Sequence, residues 1–147
     1  MYMHILISTD GSDVAQKGVD HGLTLAKALG ARVTVLTVTE RFPLYVGSGG
    51  WALGPNEMEK YTAAQTDASN KILSAAKAAA DKLGVEAETL HVTNAFPADA
   101  IIDTARAKHC SLIVMSSHGR RGLERILLGS QTADVLARSP VPVLVVR

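Results

Sequence analysis

The sequence contains a single cysteine, Cys110, in 147 residues, and only 4% of its residues are aromatic. One cysteine excludes an intrachain disulfide and a zinc site built from several thiolates. No apolar run approaches the roughly 20 residues that a membrane-spanning helix needs, and the first residues lack the pattern of a signal peptide. The formal net charge of +1 gives no electrostatic reason to expect nucleic acid or a membrane as partner. We therefore expect one soluble, cytoplasmic domain over residues 1–147.

Apolar, β-branched segments alternate with helical patterns along the chain. Strands are predicted at Met3–Ser8, Arg32–Val38, Glu86–Val92, Ser111–Met115 and Val141–Val146. Helices are predicted from the Ser12 cap to Leu29, from an Asn56 cap to about Leu83, from Pro97 to about His109 and over Ser130–Arg138. This alternation is typical of parallel βαβ units, so it predicts a doubly wound α/β sheet with helices on both faces.

The longest predicted helix has a regular series of apolar positions. They are Met58, Tyr61, Ala64, Ala68, Ile72, Ala76, Ala79 and Leu83. The segment before this helix, residues 40–55, is rich in glycine, proline and aromatic residues. Loops of this length in compact domains are often functional, and a surface excursion without a role fits the composition equally well.

Two segments that follow predicted strands carry unusual chemistry. Ser8-Thr9-Asp10-Gly11 follows the first strand, and the glycine-rich, arginine-rich segment 116–130 follows the fourth. In an open α/β sheet, ligands bind beyond the carboxyl ends of the strands where the strand order reverses. If these strands are neighbours there, Asp10 could accept hydrogen bonds from ribose hydroxyls. The loop could then present backbone N–H groups to phosphate oxygens.

The glycines of this second segment support a phosphate site without proving one. Gly119, Gly122 and Gly129 permit positive φ and close approach of the backbone to a ligand. Ser130 lies at or near a helix N-terminus, and Arg120 adds positive charge. On spacing alone, a nucleotide loop and a simple connection with a solvated basic face fit equally well.

Other chemistry is less well supported. The five histidines show no metal-ligand spacing, so no metal held by protein side chains is predicted. Ser116 and Ser117 precede His118, but nothing resembles a nucleophile elbow. Neither a P-loop lysine nor an evident general base is present, so any ATP hydrolysis is expected to be slow and no catalytic residue is assigned.

Met115 to Ser130, with the acidic turn after the first strand and a Val-Pro-Val strand at the end, resembles the universal stress protein family. The family's nucleotide motif is glycine, two residues, glycine, nine residues, then glycine followed by serine or threonine. Gly119 and Gly129-Ser130 match its second and third parts, and Ser116 replaces the first glycine. If that position requires positive φ, serine there costs more than glycine.

The resemblance implies a flavodoxin-like, Rossmann-like sheet of five parallel strands in the order 3-2-1-4-5, and a dimer formed through the last strand. It implies an adenine nucleotide, ATP or AMP, with Mg²⁺ or Mn²⁺ on the phosphates. Asp10 would meet the ribose, the Val38 backbone the adenine, and Gly119, Gly129, Ser130 and Gln131 the phosphates. The full set of predicted contact residues is Thr9, Asp10, Val38, Met115, Ser116, His118, Gly119, Arg120, Gly129, Ser130, Gln131 and Thr132.

The last strand, residues 141–146, also predicts a dimer from its own composition. It is apolar throughout, and an exposed apolar edge strand invites pairing. Pro142 cannot donate to a ladder, so it belongs at an edge or a strand start. The predicted function is thus a dimeric, nucleotide-dependent stress sensor or regulator. The alternative is a dimeric interaction module with a vestigial pocket, which recruits an unidentified protein partner.

Overall fold

The computed structural model describes residues 1–40, 54–118 and 128–147. Within these residues, five parallel strands form one sheet and four helices cover it. The strands are β1 (His4–Ser8), β2 (Arg32–Thr39), β3 (Ala87–Thr93), β4 (Leu112–Ser116) and β5 (Val143–Val146). The helices are α1 (Asp13–Leu29), α2 (Pro55–Leu83), α3 (Pro97–Ala107) and α4 (Ser130–Arg138). Glycine-rich residues 119–127 and most of the segment 40–55 lie outside the described residues.

The strand order is β3-β2-β1-β4-β5, as predicted. Strand order reverses between β1 and β4, which pair in parallel with Ile7 opposite Val114. One apolar core lies between the sheet and α1 and α2, and it includes Ile5, Leu23 and Leu73. A second core lies under α3 and α4 and includes Leu6 and Ile101. Consecutive residues of β1 therefore enter opposite cores, as expected for a strand that is buried on both faces.

Most predicted helix ends are confirmed. The Ser12 side chain accepts a hydrogen bond from Ala15 N, and both α1 and α2 end on a left-handed glycine, Gly30 and Gly84. The predicted Asn56 cap is wrong. Gly54 is the N-cap and Pro55 is the first helical residue, because proline lacks the N–H that a helix start leaves unpaired and has a helical φ.

The predicted ends of β5 and α3 also need correction. β5 begins at Val143 instead of Val141, and Pro142 lies just before it, where its carbonyl accepts from Ile113 N. α3 ends at Ala107 instead of His109, which adopts a positive φ of 53°.

The apolar series predicted for α2 matches its buried face only in the C-terminal half, where Ala76 is buried and Ala79 and Leu83 pack against the core. The buried residues of this helix are Ser69, Leu73, Ala76 and Ala80. Met58, Ala64 and Ala68 are exposed. The core thus covers only the C-terminal part of α2, and residues 55–68 extend past the carboxyl ends of the strands.

Candidate functional site

A cleft of about 430 Å³ lies at the carboxyl ends of β1, β2 and β4. This is the edge of the sheet where strand order reverses, and ligands bind there in open α/β folds. Ten of the twelve predicted contact residues line the cleft: Thr9, Asp10, Val38, Met115, Ser116, His118, Gly129, Ser130, Gln131 and Thr132. The other two, Gly119 and Arg120, lie outside the described residues. The structure therefore brings both predicted segments to one place.

The turn after β1 fixes the position of Asp10. Thr9 N donates to the carbonyl of Leu36 on β2 at 2.9 Å, which holds the start of the turn against the sheet. Asp10 Oδ1 accepts from Ser12 N at 2.9 Å, and Thr9 Oγ1 accepts from Gly11 N at 3.1 Å. Gly11 adopts a φ of 79°, which favours glycine. Two side-chain-to-backbone bonds thus place the Asp10 carboxylate at the start of α1, inside the cleft.

The end of β4 is joined directly to the start of α4. Gly129 N donates to the Ser117 carbonyl at 2.8 Å, and Thr132 Oγ1 donates to the Ser116 carbonyl at 3.0 Å. Ser116 Oγ donates to the His118 carbonyl at 2.6 Å, and Ser117 Oγ lies 2.9 Å from His118 Nδ1. Thr132, Ser116 and Ser117 are buried. This network holds the first turn of α4 at the floor of the cleft.

Neither Ser116 nor Gly129 needs a positive φ. Ser116 is the last residue of β4 and is extended, and Gly129 has a φ of −56°. Serine in place of the motif glycine therefore carries no backbone cost at position 116. At Gly129 the requirement is space, because an added Cβ would lie 3.2 Å from the Ser117 carbonyl oxygen. Gly129 therefore does not use the positive φ that glycine permits, and the predicted close approach of its backbone to a ligand stays a prediction.

The first turn of α4 has the character of an anion site. Its N-cap is Gly129, which supplies no side-chain cap, and the first turn contains no acidic residue. The N-terminus of a helix carries partial positive charge and directs N–H groups outward. Ser130, the first residue of α4, is exposed at the cleft. The site can thus favour a phosphate without a lysine or arginine from the described residues.

Gln131 has a structural contact that its sequence position did not reveal. Its side-chain Oε1 accepts from Ala98 N, in the first turn of α3, at 3.0 Å. The side chain of Gln131 therefore joins α4 to α3.

Sequence reasoning missed the remaining wall of the cleft. The additional lining residues are Ser8, Thr37, Thr39 and Glu40 at the strand ends, Ala15 on α1, Tyr61, Gln65, Ala68, Ser69 and Ile72 on α2, and Pro97 and Ile101 on α3. The strand-end residues follow from the same rule that located Asp10. The α2 residues do not, because their position depends on how far that helix extends past the sheet.

Cys110 and the metal-binding side-chain types bear on other chemistry. Cys110 is free and buried, and burial raises the pKa of its thiol to about 11, so it is a core residue and not a reactive thiolate. Among the residues that the structure describes, no three His, Cys, Asp or Glu side chains could hold a metal ion together. Nor is any helix in those ranges long and apolar enough to cross a membrane.

Comparison with solved structures finds proteins of similar fold, some of them in complex with nucleotides. The structure of MJ0577 from Methanocaldococcus jannaschii, 29% identical, matches with a TM-score of 0.80 over 99% of this chain and 96% of that one. A universal stress protein solved in complex with cAMP, 28% identical, matches with a TM-score of 0.68 over 99% and 97%. Two more distant proteins share the fold, one from Archaeoglobus fulgidus in complex with dAMP and one from Arabidopsis thaliana with AMP bound. Solved members of this family thus bind adenine nucleotides.

Sequence comparison agrees over the full length. Universal stress protein MJ0531 of Methanocaldococcus jannaschii is 36% identical over 150 aligned positions, which cover 100% of this chain and 83% of that protein. The model of the universal stress protein family matches residues 1–147. The chain belongs to the universal stress protein family.

Proposed function

We propose that this protein binds an adenine nucleotide, ATP or AMP, in the cleft between the Asp10 turn and the start of α4. The observation that carries the proposal is that a carboxylate and an uncapped helix N-terminus share one cleft. The carboxylate suits ribose hydroxyls, and the helix N-terminus suits phosphate. The relative solved with cAMP supports the same ligand class.

Each part of the nucleotide has a matching part of the cleft. Asp10 would accept from the ribose, the Val38 backbone would meet the adenine, and Met115 would line the pocket between them. Gly129, Ser130 and Gln131 would hold the phosphates through backbone N–H groups and the Ser130 hydroxyl. Mg²⁺ or Mn²⁺ would be carried on the phosphate oxygens of ATP. The predicted contributions of Gly119 and Arg120 stay predictions.

We infer that the nucleotide regulates a dimeric cytoplasmic protein and is not chiefly a substrate. The lysine with which a P-loop stabilises a transferring phosphoryl group has no counterpart in the motif. A bound nucleotide instead joins β1, β2 and α4, so it would stabilise the folded protein by mass action. A stress-dependent change in nucleotide concentration would then change the fraction of protein in the bound state.

The direct test is calorimetric titration with ATP in the presence of magnesium, and with AMP alone. We expect saturable heat and a rise in thermal midpoint with either ligand or both. Absence of heat and of stabilisation at millimolar concentrations of both ligands would overturn the proposal in favour of the interaction module. In that case nucleotide should also be absent from the supernatant of the purified, denatured protein.

A substitution at Gly129 tests the phosphate position. Aspartate is a favourable N-cap, so Gly129→Asp should keep α4 folded while placing a carboxylate where the phosphate would lie. Repulsion between like charges exceeds the ~1.4 kcal/mol that corresponds to a tenfold change in Kd, so binding should weaken at least roughly tenfold. Gly129→Ala adds the same Cβ without charge and measures the effect of crowding alone. Equal binding by the two variants would show that the phosphates lie elsewhere.

A further inference from the structure

The N-terminal half of α2 forms a wall of the cleft that has no role in the core. The helix has 29 residues, and its buried positions begin only at Ser69. Residues 55–68 therefore extend about 20 Å at 1.5 Å per residue. The part of a helix that extends beyond the sheet lacks the tertiary packing that usually stabilises helices. The residues on its face toward the cleft are therefore expected to have a role other than core packing.

The exposure of these residues identifies that face. Three residues within 55–68 are half-buried, namely Tyr61, Gln65 and Thr66. The rest of this range is exposed. Tyr61 and Gln65 are four residues apart, so they share one side of the helix, and Ser69 continues the same row. All three line the cleft, and Ser69 is 5% exposed. An aromatic ring, an amide and a hydroxyl thus face the cleft in one row.

The opposite wall of this part of the cleft is the end of β2. Thr37 and Val38 line it, and the Thr37 side chain is only 3% exposed. Successive side chains of a strand point to opposite faces of the sheet. Val38 packs with the core under α3, so Thr37 is directed to the α1 and α2 side. The α2 row and Thr37 therefore lie on the same side of the sheet, and we call this part of the cleft the α2 compartment.

The chemistry of this compartment matches a nucleobase. Aromatic side chains stack on the faces of bases, and a glutamine amide pairs a donor and an acceptor with the edge of a base. We propose that Tyr61 and Gln65 of α2 recognise the base of the bound nucleotide and determine its contribution to affinity. This inference rests on the proposed function, because it assigns the base end of the same ligand.

The experiment separates the contribution of the base to binding affinity from that of the ribose and phosphate. Affinities for AMP and for ribose 5-phosphate, which lacks only the base, are measured by calorimetric competition on the full chain. Tyr61→Leu and Gln65→Leu remove the ring and the amide while keeping good helix formers. Each substitution should weaken the binding of AMP roughly fivefold to a hundredfold, which is the range expected for the loss of one base contact. Neither should change the affinity for ribose 5-phosphate by more than about twofold.

Asn70→Leu is the matched control, because Asn70 is an exposed polar residue of the same helix and does not line the cleft. It should leave both affinities unchanged. If the Tyr61 and Gln65 variants lose affinity equally for AMP and ribose 5-phosphate, or lose affinity for neither, the base assignment is overturned. The proposal that the protein binds a nucleotide would still stand. Failure of the unsubstituted protein to bind any nucleotide would overturn both proposals.

Discussion

His4 lies at the amino end of β1, away from the cleft, and is 5% exposed. Its Nδ1 is 3.0 Å from the Lys108 carbonyl oxygen, so the neutral ring carries its hydrogen on Nδ1. Its Nε2 is 2.8 Å from Thr34 Oγ1, which is also 2.8 Å from Glu88 Oε1. Thr34 Oγ1 donates to Glu88 Oε1, and the same oxygen lies against the His4 ring. This network joins β1, β2, β3 and the end of α3.

The burial of His4 and the charges around it make the free energy of unfolding depend on pH in the acid range. Burial lowers the pKa of His4 below its usual 6.5, and Arg32 and Lys108 lower it further, against the Lys108 carbonyl and Glu88, which raise it. The hydrogen bond from Thr34 and that from Lys108 lower the pKa of Glu88. Folded protein thus binds the His4 proton less tightly than unfolded chain does. The contribution of neutral His4 to the stability of the folded protein is therefore complete above pH 6.5, and it declines as the pH falls below that value.

His4→Gln tests this linkage. At pH 7.5 the variant should be less stable by about 1–3 kcal/mol, because buried partners lose a hydrogen bond. Between pH 6.5 and 5 the difference in unfolding free energy should shrink, since only the unsubstituted protein must take up the His4 proton on unfolding. Urea denaturation at several pH values measures both quantities. A difference that stays constant with pH would show that His4 does not titrate in this range.

At the scale of the element, two glycines set the distance between α1 and the sheet. A Cβ at Gly18 would lie 3.3 Å from the backbone nitrogen of Ser116, and a Cβ at Gly22 would lie 2.5 Å from Ile7 Cδ1. Because α1 begins at the Asp10 turn and Ser116 ends β4, this close packing also sets the spacing of the two sides of the cleft.

Gly22→Ala measures the cost of losing that spacing. Alanine gains up to about 1 kcal/mol in helix propensity, but Ile7 is fully buried, and overpacking costs about 1–3 kcal/mol. We expect net destabilisation in thermal or urea unfolding. The added cost should fall in an Ile7→Val background, which removes the nearest atom. Strict additivity of the two substitutions would show that the contact between them is not the cause.

Elements were predictable from the sequence where their signals are local. The caps at Ser12, Gly30 and Gly84 depend on residues within a few positions of the helix ends, so they could be located in advance. The buried face of α2 could not, because this alanine-rich helix offers small apolar residues on several sides. Only packing against the sheet selects the row from Ser69 to Ala80, and for the same reason Tyr61 and Gln65 escaped the sequence-based site.

At the scale of the whole molecule, topology made most of the site predictable. Asp10 and Ser130 are 120 positions apart, yet both follow strands that meet where the strand order reverses. Alternation of strands and helices predicted the parallel sheet, and family resemblance supplied the strand order. The conformation at Ser116 could not be inferred from its motif. It depends on where β4 ends, one residue later than predicted.

The outer edge of β5 is the surface from which we predict a dimer. The carbonyls of Pro142 and Val146 accept from Ile113 and Ser117, so they face β4. Backbone groups alternate in direction along a strand, which directs those of Val143 and Val145 to the other edge. The strand order ends at β5. An apolar edge strand of this kind pairs readily with a second copy.

A charge at Leu144 should prevent that pairing. Leu144, the residue between Val143 and Val145, is 39% exposed, and in a symmetric pair its neighbours include the same strand of the second copy. We expect sedimentation velocity to show a dimer for the unsubstituted protein and a monomer for Leu144→Asp, because like charges would be brought together in an apolar interface. Leu29→Asp, at a similarly exposed leucine (46%) on α1, is the control and should remain dimeric. If Leu144→Asp sediments as a dimer with its fold intact, the copies associate through another surface.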